Sequence, residues 1–255
     1  PELYEAHFGV PMIGAILNAL NVRLDAKVLA FILDHGNAKV LFTDREYSVT
    51  IKNALKLAEV EPLVIDIDDA LAPTGELLGQ TSYEKFVAEG DPNFDWGLPE
   101  SEWAAISLNY TSGTTGNPKG VLYSHRSTIL HAWIVSAGNV GKISSSTVIL
   151  PVVPMFHVNA WGIPYAAAMF GAKLVLPGPA MDGASIFELI EQEKPDLLMG
   201  VPTVWLGLLQ YLRESNQTLD SVTTALVGGS AAPRAMIQEF EEKHNVFLMH
   251  EWGMT

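Results

Sequence analysis

Residues 110–120 read Tyr-Thr-Ser-Gly-Thr-Thr-Gly-Asn-Pro-Lys-Gly, and this stretch decides how the rest of the chain is read. It holds glycines at 113, 116 and 120, hydroxyls at 111, 112, 114 and 115, one lysine at 119, and almost nothing apolar. Before it runs Trp103-Ala104-Ala105-Ile106-Ser107-Leu108, which reads as a buried strand. After it runs Val121-Leu122-Tyr123, a second short apolar segment. The stretch is therefore a polar loop between two strands. Its glycines let the backbone turn tightly and approach a ligand closely. Backbone N–H groups and hydroxyls facing outward together suit a polyphosphate, and Lys119 adds a compact positive charge. The Walker A pattern does not fit: counted from Gly113, Pro118 stands where its second glycine belongs, and Gly120 follows the lysine. A Gly/Thr-rich turn that binds nothing is the alternative.

Upstream, Gly9 to Val22 reads as a buried helix and its exit, and Asp25 as the cap of a helix that Gly36 stops. Strands are expected at 39–43 and 62–67, and helices at 47–57 and 83–88. Asp66, Asp68 and Asp69 lack metal-ligand spacing and read as a solvated loop. Downstream, 127–140 has helical spacing, and 138–146, with Ser144, Ser145 and Ser146, forms a candidate linker. Beyond it strands at 148–150, 173–176, 196–199, 224–227 and 246–249 alternate with helices at 161–170, 185–193, 204–212 and 234–244. This alternation predicts an α/β fold of two doubly wound, mostly parallel sheet subdomains with helices on their faces, 1–143 and 144–255.

The chain has 255 residues, 48% apolar and 17% charged, enough for a sizeable core and unlike a disordered segment. Its net charge of −14 argues against nucleic acid or an anionic membrane as partner. Attraction for a polyphosphate must then be local. With no cysteine there is no disulfide, thiolate metal site or Cys nucleophile, which fits a cytoplasmic protein. No run reaches the length of a transmembrane segment.

The 110–120 stretch resembles the signature loop of the adenylate-forming enzymes, which include acyl-CoA synthetases, peptide-synthetase adenylation domains and beetle luciferases. The resemblance covers nearly the whole chain, because further motifs follow in the family's order. It implies that Thr111, Ser112, Gly113, Thr114, Thr115, Gly116 and Lys119 hold ATP phosphates, with Thr115 also at the metal and Lys119 catalytic. Residues 154–161, Pro-Met-Phe-His-Val-Asn-Ala-Trp, match a segment near the family's acyl site. His157 matches the motif histidine there, and Phe156 stands where many members have a second histidine. The resemblance gives His157 the substrate carboxylate or α-phosphate, and Val158, Trp161, Val201 and Gly228 the acyl pocket, with Trp161 as its gate. A core histidine and a core tryptophan are the alternatives.

Residues 228–233, Gly-Gly-Ser-Ala-Ala-Pro, have small side chains that leave room for a flat ring against the backbone. The family binds adenine on such a segment, here Ser230, Ala231, Ala232 and Pro233. Residues 250–255, His-Glu-Trp-Gly-Met-Thr, resemble the family's next motif, with Trp252 in place of the usual Tyr. This implies nucleotide contacts from Trp252, Gly253, Met254 and Thr255, the last at the α-phosphate and catalytic. Glu251 reads as a solvated carboxylate. The family's metal-binding Glu and C-terminal lysine lie beyond the motif. The chain is thus read as the central part of a longer protein, inactive as an isolated fragment.

The implied activity is ATP-dependent activation of a carboxylic acid to an acyl-adenylate, then thioesterification. ATP, Mg²⁺ and coenzyme A are the cofactors, and a homodimer is the candidate assembly. The segments around 154 and 201 are most similar to medium- and long-chain fatty acyl-CoA synthetases. An ATP-binding module without ligase activity, an adenylating enzyme for another carboxylate, and a kinase-like phosphotransferase are the rivals.

Overall fold

The computed structural model describes residues 1–72, 74–111, 116–137 and 141–255. These fall into two compact units, Pro1–His125 and Arg126–Thr255.

The first unit begins with α1 (Glu2–Met12), α2 (Ala26–His35) and β1 (Val40–Asp44). A short 3₁₀ turn (Arg45–Tyr47) leads into α3 (Ser48–Leu57), β2 (Leu63–Ile67), β3 (Thr81–Ser82) and α4 (Tyr83–Ala88). It ends in β4 (Ala105–Tyr110) and β5 (Gly120–Ser124). Asp25 caps α2, its Oδ1 accepting the Val28 N–H at 2.9 Å. Strands β1, β2 and β3 form a parallel sheet in that order. Alternation along β1 covers both faces: Leu41 packs with Leu29, Leu33 and Ile51 of the helices, while the Phe42 ring meets Tyr83 and Phe86 of α4.

The first helix lies earlier than its expected place at 9–22. Beyond Met12 the chain turns at Ile13 and Gly14, and Leu17 then bridges to Ser107 of β4. The strand before the polar loop is shifted too. Trp103 lies outside it and is 69% exposed, and β4 pairs antiparallel with β5 as a hairpin whose loop is 111–119.

The aspartates at 66, 68 and 69 are structural. The Asp66 carboxylate, buried, accepts the Leu78 and Gly79 N–H groups at 2.9 and 2.7 Å. Asp68 pairs with Arg45, and Asp69 accepts the Leu71 N–H. Among the described residues no group of acidic or His side chains could hold a metal ion, and no helix is long and apolar enough to cross a membrane.

The second unit opens within α5 (His125–Ser136), one residue after its start; the helix begins two residues before its expected place and ends at 136. There follow β6 (Val148–Pro151), the one-turn α6 (Val158–Trp161), α7 (Ile163–Phe170), β7 (Lys173–Leu174) and α8 (Gly183–Glu193). The unit continues through β8 (Leu197–Gly200), α9 (Pro202–Ser215), β9 (Thr224–Val227), α10 (Arg234–His244) and β10 (Phe247–His250). Its five strands are all parallel, in the order β10-β9-β8-β6-β7.

Leu150, Leu198, Ala225, Val227 and Leu248 share a core with Ile186, Ile190, Trp205, Leu208 and Phe240 of α8, α9 and α10. Ile149, Leu197, Met199 and Leu226 alternate to the other face and are buried as well. A sheet covered on both faces explains its continuous apolar strands. Trp205 sits at the centre, its Nε1 donating to the Leu226 carbonyl at 3.0 Å.

Asp66→Ala should destabilise the protein by about 2–4 kcal/mol, because two charge-assisted bonds are lost and two half-buried N–H groups lose their acceptor. Urea denaturation with and without Mg²⁺ checks this. A midpoint that depends on Mg²⁺ in the parent and not in the variant would make the loop a metal site.

Candidate active site

In a parallel sheet every strand delivers its following loop to the same edge. The order β10-β9-β8-β6-β7 reverses direction at β6: the chain leaves β6 toward β7 on one side, then returns to β8 on the other. Loops diverging from such a point open a crevice at the carboxyl edge. Residues 154–161 follow β6, Val201 follows β8, 228–233 follow β9 and 251–255 follow β10. Four segments singled out in the sequence thus leave the same edge of one sheet.

His157 follows a turn in which its N–H donates to the Pro154 carbonyl at 2.9 Å. Its ring is exposed, yet partial desolvation holds its pKa below the ordinary imidazole range, so it is neutral at pH 7. The next four residues, Val158, Asn159, Ala160 and Trp161, have φ of 49°, 54°, 47° and 55°. Gly162 continues the run at 74°. α6 is thus a left-handed turn. Each non-glycine residue in that conformation costs roughly 1–2 kcal/mol. Surroundings that fix it include the burial of Asn159, Ala160 and Ile163. The expected helix at 161–170 is therefore two pieces of opposite hand, broken at Gly162.

The turn sets the place of Trp161. A Cβ on Gly228 would stand 3.1 Å from Cη2 of the Trp161 indole and 3.2 Å from the Glu251 carbonyl oxygen. The indole edge therefore lies against bare backbone at the end of β9. The neighbouring Gly229 has φ 81°, and a Cβ there would stand 3.3 Å from Cγ1 of Val201. Trp161, Val201, Gly228 and Glu251 are brought together. Gly162 has its own close neighbour: a Cβ there would stand 2.7 Å from Nδ1 of His131 on α5.

Glu251 differs from its reading as a solvated carboxylate. Its N–H donates to the Val227 carbonyl at 2.8 Å, it is half-buried, and desolvation raises its pKa. Ser230, Ala231 and Pro233 are exposed, and Pro233 is the N-cap of α10. Trp252 is 85% exposed, with Gly253 and Met254 also exposed and Thr255 half-buried. Sequence reasoning overlooked His131 and the left-handed hand of 158–161. Only the glycine at 162 hinted at the latter.

In the first unit, Ser112, Gly113, Thr114 and Thr115 lie outside the described residues. The neck of their loop is closed by one reciprocal pair. The Thr111 N–H donates to the Lys119 carbonyl at 3.0 Å, and the Lys119 N–H donates to Thr111 Oγ1 at 3.1 Å. Lys119 is exposed, and Gly116 has φ 139°, a conformation that glycine alone adopts freely. A separate cavity of about 510 Å³ at the amino ends of β6, β8 and β9 carries no comparable set. Its Ser144, Ser146 and Thr147 hydroxyls bond to one another, and its Asp196 carboxylate accepts the Val148 N–H.

The hand of α6 is testable with two buried alanines. Ala160→Gly should be less destabilising than Ala166→Gly in right-handed α7 by about 1–2 kcal/mol, since glycine relieves strain only at the first. Urea denaturation measures both, and equal losses would contradict a left-handed turn.

Comparison with known proteins supplies the family. The model of the family described as AMP-binding enzyme matches residues 1–255. The 3-methylmercaptopropionyl-CoA ligase of Ruegeria pomeroyi is 44% identical over 253 residues, which are 98% of this chain and 47% of that protein. The medium-chain-fatty-acid–CoA ligase of Ectopseudomonas oleovorans is 44% identical over 253 residues, 98% of this chain and 46% of that protein. The crystal structure of a long-chain-fatty-acid-CoA ligase from Archaeoglobus fulgidus superposes with a TM-score of 0.83 at 22% identity, over 98% of this chain and 49% of that one, a likeness of fold. The chain spans about half the length of the curated relatives it matches. Matched by that family's model from its first residue to its last, this chain belongs to the AMP-binding enzyme family.

Proposed function

We propose that the protein activates a carboxylic acid of the fatty-acid class with ATP and passes the acyl group to coenzyme A. The observation that carries this reading is the meeting of Trp161, Val201, Gly228 and Glu251 at the carboxyl edge of a parallel sheet. Around it lie the segments that match the family's acyl and adenine motifs. Two relatives 44% identical to the chain are acyl-CoA ligases, and they support the same class.

In the first step a carboxylate oxygen attacks the α-phosphorus of ATP. An O–P bond forms, the bond to the β-phosphate breaks, and pyrophosphate leaves. In the second, the coenzyme A sulfur attacks the acyl carbon and AMP leaves. A carboxylate is already ionised at pH 7 and needs no base. The protein's share is position and charge stabilisation.

Lys119 and the loop 111–116 hold the β- and γ-phosphates. The positive φ of Gly116 and the exposed Lys119 suit close approach by an anion. Thr115 is the side chain that would hold Mg²⁺ on the nucleotide's phosphates, where the ion would neutralise their charge. His157, neutral, donates a ring N–H to the acid or the α-phosphate. Small residues 230–233 and the aromatic Trp252 take adenine, and Thr255 the α-phosphate. Trp161, set on Gly228 by the left-handed turn, limits the depth of the acyl pocket. A homodimer in the cytoplasm completes the reading.

The test uses the full-length protein with fatty acids, MgATP and coenzyme A. AMP and pyrophosphate should form in step with acyl-CoA. Release of ADP would make it a phosphotransferase, and release of neither product a binding module. Lys119→Ala should lower kcat/KM for ATP about 10- to 100-fold, the worth of a charge-assisted contact, and leave the KM for fatty acid nearly unchanged.

Trp161→Ala should move the chain-length optimum to longer acids. Each added methylene gains roughly 0.8 kcal/mol, so a few shift the preference by one to two orders of magnitude. A variant that melts early with an unchanged chain-length profile would make Trp161 packing alone.

A further inference from the structure

We infer that His35 is a positioning residue for the phosphate loop and acts on it through Tyr110. The inference rests on the reading of residues 111–119 as that loop.

Tyr110 is the last residue of β4 and stands opposite Gly120, the first of β5. A Cβ on Gly120 would lie 3.4 Å from both Cε1 and Cζ of the Tyr110 ring, and 3.0 Å from Leu108 Cδ1. The backbone of Gly120 has no positive φ, so a side chain here would act by crowding Leu108 and the Tyr110 ring. The phenol ring covers the hairpin neck on the rung directly beneath the Thr111–Lys119 pair.

The far end of the ring is held by a different element. Tyr110 Oη and His35 Nδ1 are hydrogen-bonded at 2.8 Å across 75 residues of sequence. The two rings meet edge to face, with centroids 5.8 Å apart. His35 is the last residue of α2 and stacks on Phe31 one turn earlier, with centroids 5.4 Å apart and planes 22° from parallel. The slot is narrow. A Cβ on Gly36 would stand 3.5 Å from the Tyr110 hydroxyl, 3.4 Å from Asn18 Nδ2 and 3.0 Å from the Ile32 carbonyl oxygen. Burial raises the Tyr110 pKa, so the phenol stays protonated and able to hydrogen-bond.

The consequence falls on Lys119. Its ammonium rides on a flexible four-carbon stem, so only its backbone can be fixed in advance. The Thr111–Lys119 pair fixes that backbone, and the clamped Tyr110 ring supports the pair from below. Releasing the hydroxyl from His35 frees the ring, loosens the neck and leaves more ordering to be done when phosphate binds. Acid and coenzyme A binding do not call on this neck, so the effect should be confined to ATP.

The test is steady-state kinetics of the full-length enzyme with four variants, each beside a melting curve. His35→Leu and Tyr110→Phe should each raise the KM for MgATP about 3- to 10-fold, the scale of one hydrogen bond. The KM for fatty acid should stay within about twofold. The double variant should be no worse than either single one, because both break the same link. His35→Asn should restore the parent KM, since its amide reaches the place of Nδ1.

A lowered melting temperature with an unchanged ATP KM would make the pair structural and overturn the inference, as would additive singles. Lys119→Ala separates the two readings. An unchanged ATP KM in that variant removes the loop from phosphate binding and the inference with it. A raised one, beside an inert Tyr110→Phe, removes the inference alone. Should His35→Leu fail to fold, Tyr110→Phe and His35→Asn carry the same comparison.

Discussion

Five strands running in one direction release every following loop at one edge, and this constraint organises the second unit. Parallel pairing demands a crossover helix after each strand, and the helices must bury an apolar stripe on a sheet face. Trp205 and Phe240 are wholly buried in doing so. The edge itself is left to loops, which need no packing and can carry chemistry. A reversal of strand order at β6 then parts the loops after β6 and β8. The interior of the unit is thus spent on keeping one rim open and in register.

At that rim the contacts are set by what is missing. Gly228 has no side chain, and the Trp161 indole occupies the space. Trp161 reaches it from a turn of the unfavoured hand. Four non-glycine residues at roughly 1–2 kcal/mol each would amount to about half of a domain's net stability if nothing offset them. Such a turn persists only where surrounding contacts over-determine it, and strain of this kind clusters at functional sites. The burial of Asn159 and Ala160 on one side and His131 beside Gly162 on the other supply those contacts.

Much of this was legible in the residues. Strand and helix alternation gave the α/β class, because an apolar run bounded by turn residues has few other solutions. Asp25 as a cap and 224–227 and 234–244 as elements match the structure. The misses have physical causes. Residues 9–22 carry helix-forming composition, yet Leu17 gains partners on both sides from Ile106 and Leu108, and sheet pairing wins there. Trp103 is apolar without being core, since side-chain type alone does not report burial. The hand of residues 158–161 leaves no periodic trace, because a left-handed turn is imposed by context and not by propensity. The bond between His35 and Tyr110 spans 75 residues, beyond the reach of local pattern.

The charge of the chain bears on the same loop. Twenty-nine acidic side chains against fifteen basic ones make the long-range field repel a polyphosphate. At physiological ionic strength that field decays over about 8 Å, so it acts on the encounter far more than on the bound state. Affinity must then come from groups in direct contact, and their strength depends on being in place before the ligand arrives. A basic protein could tolerate a loosely held lysine, because many cations would share the work. If Lys119 meets a polyphosphate as proposed, a chain this acidic gains from fixing the backbone beneath it, and among the described residues the rungs at Thr111 and Tyr110 do so.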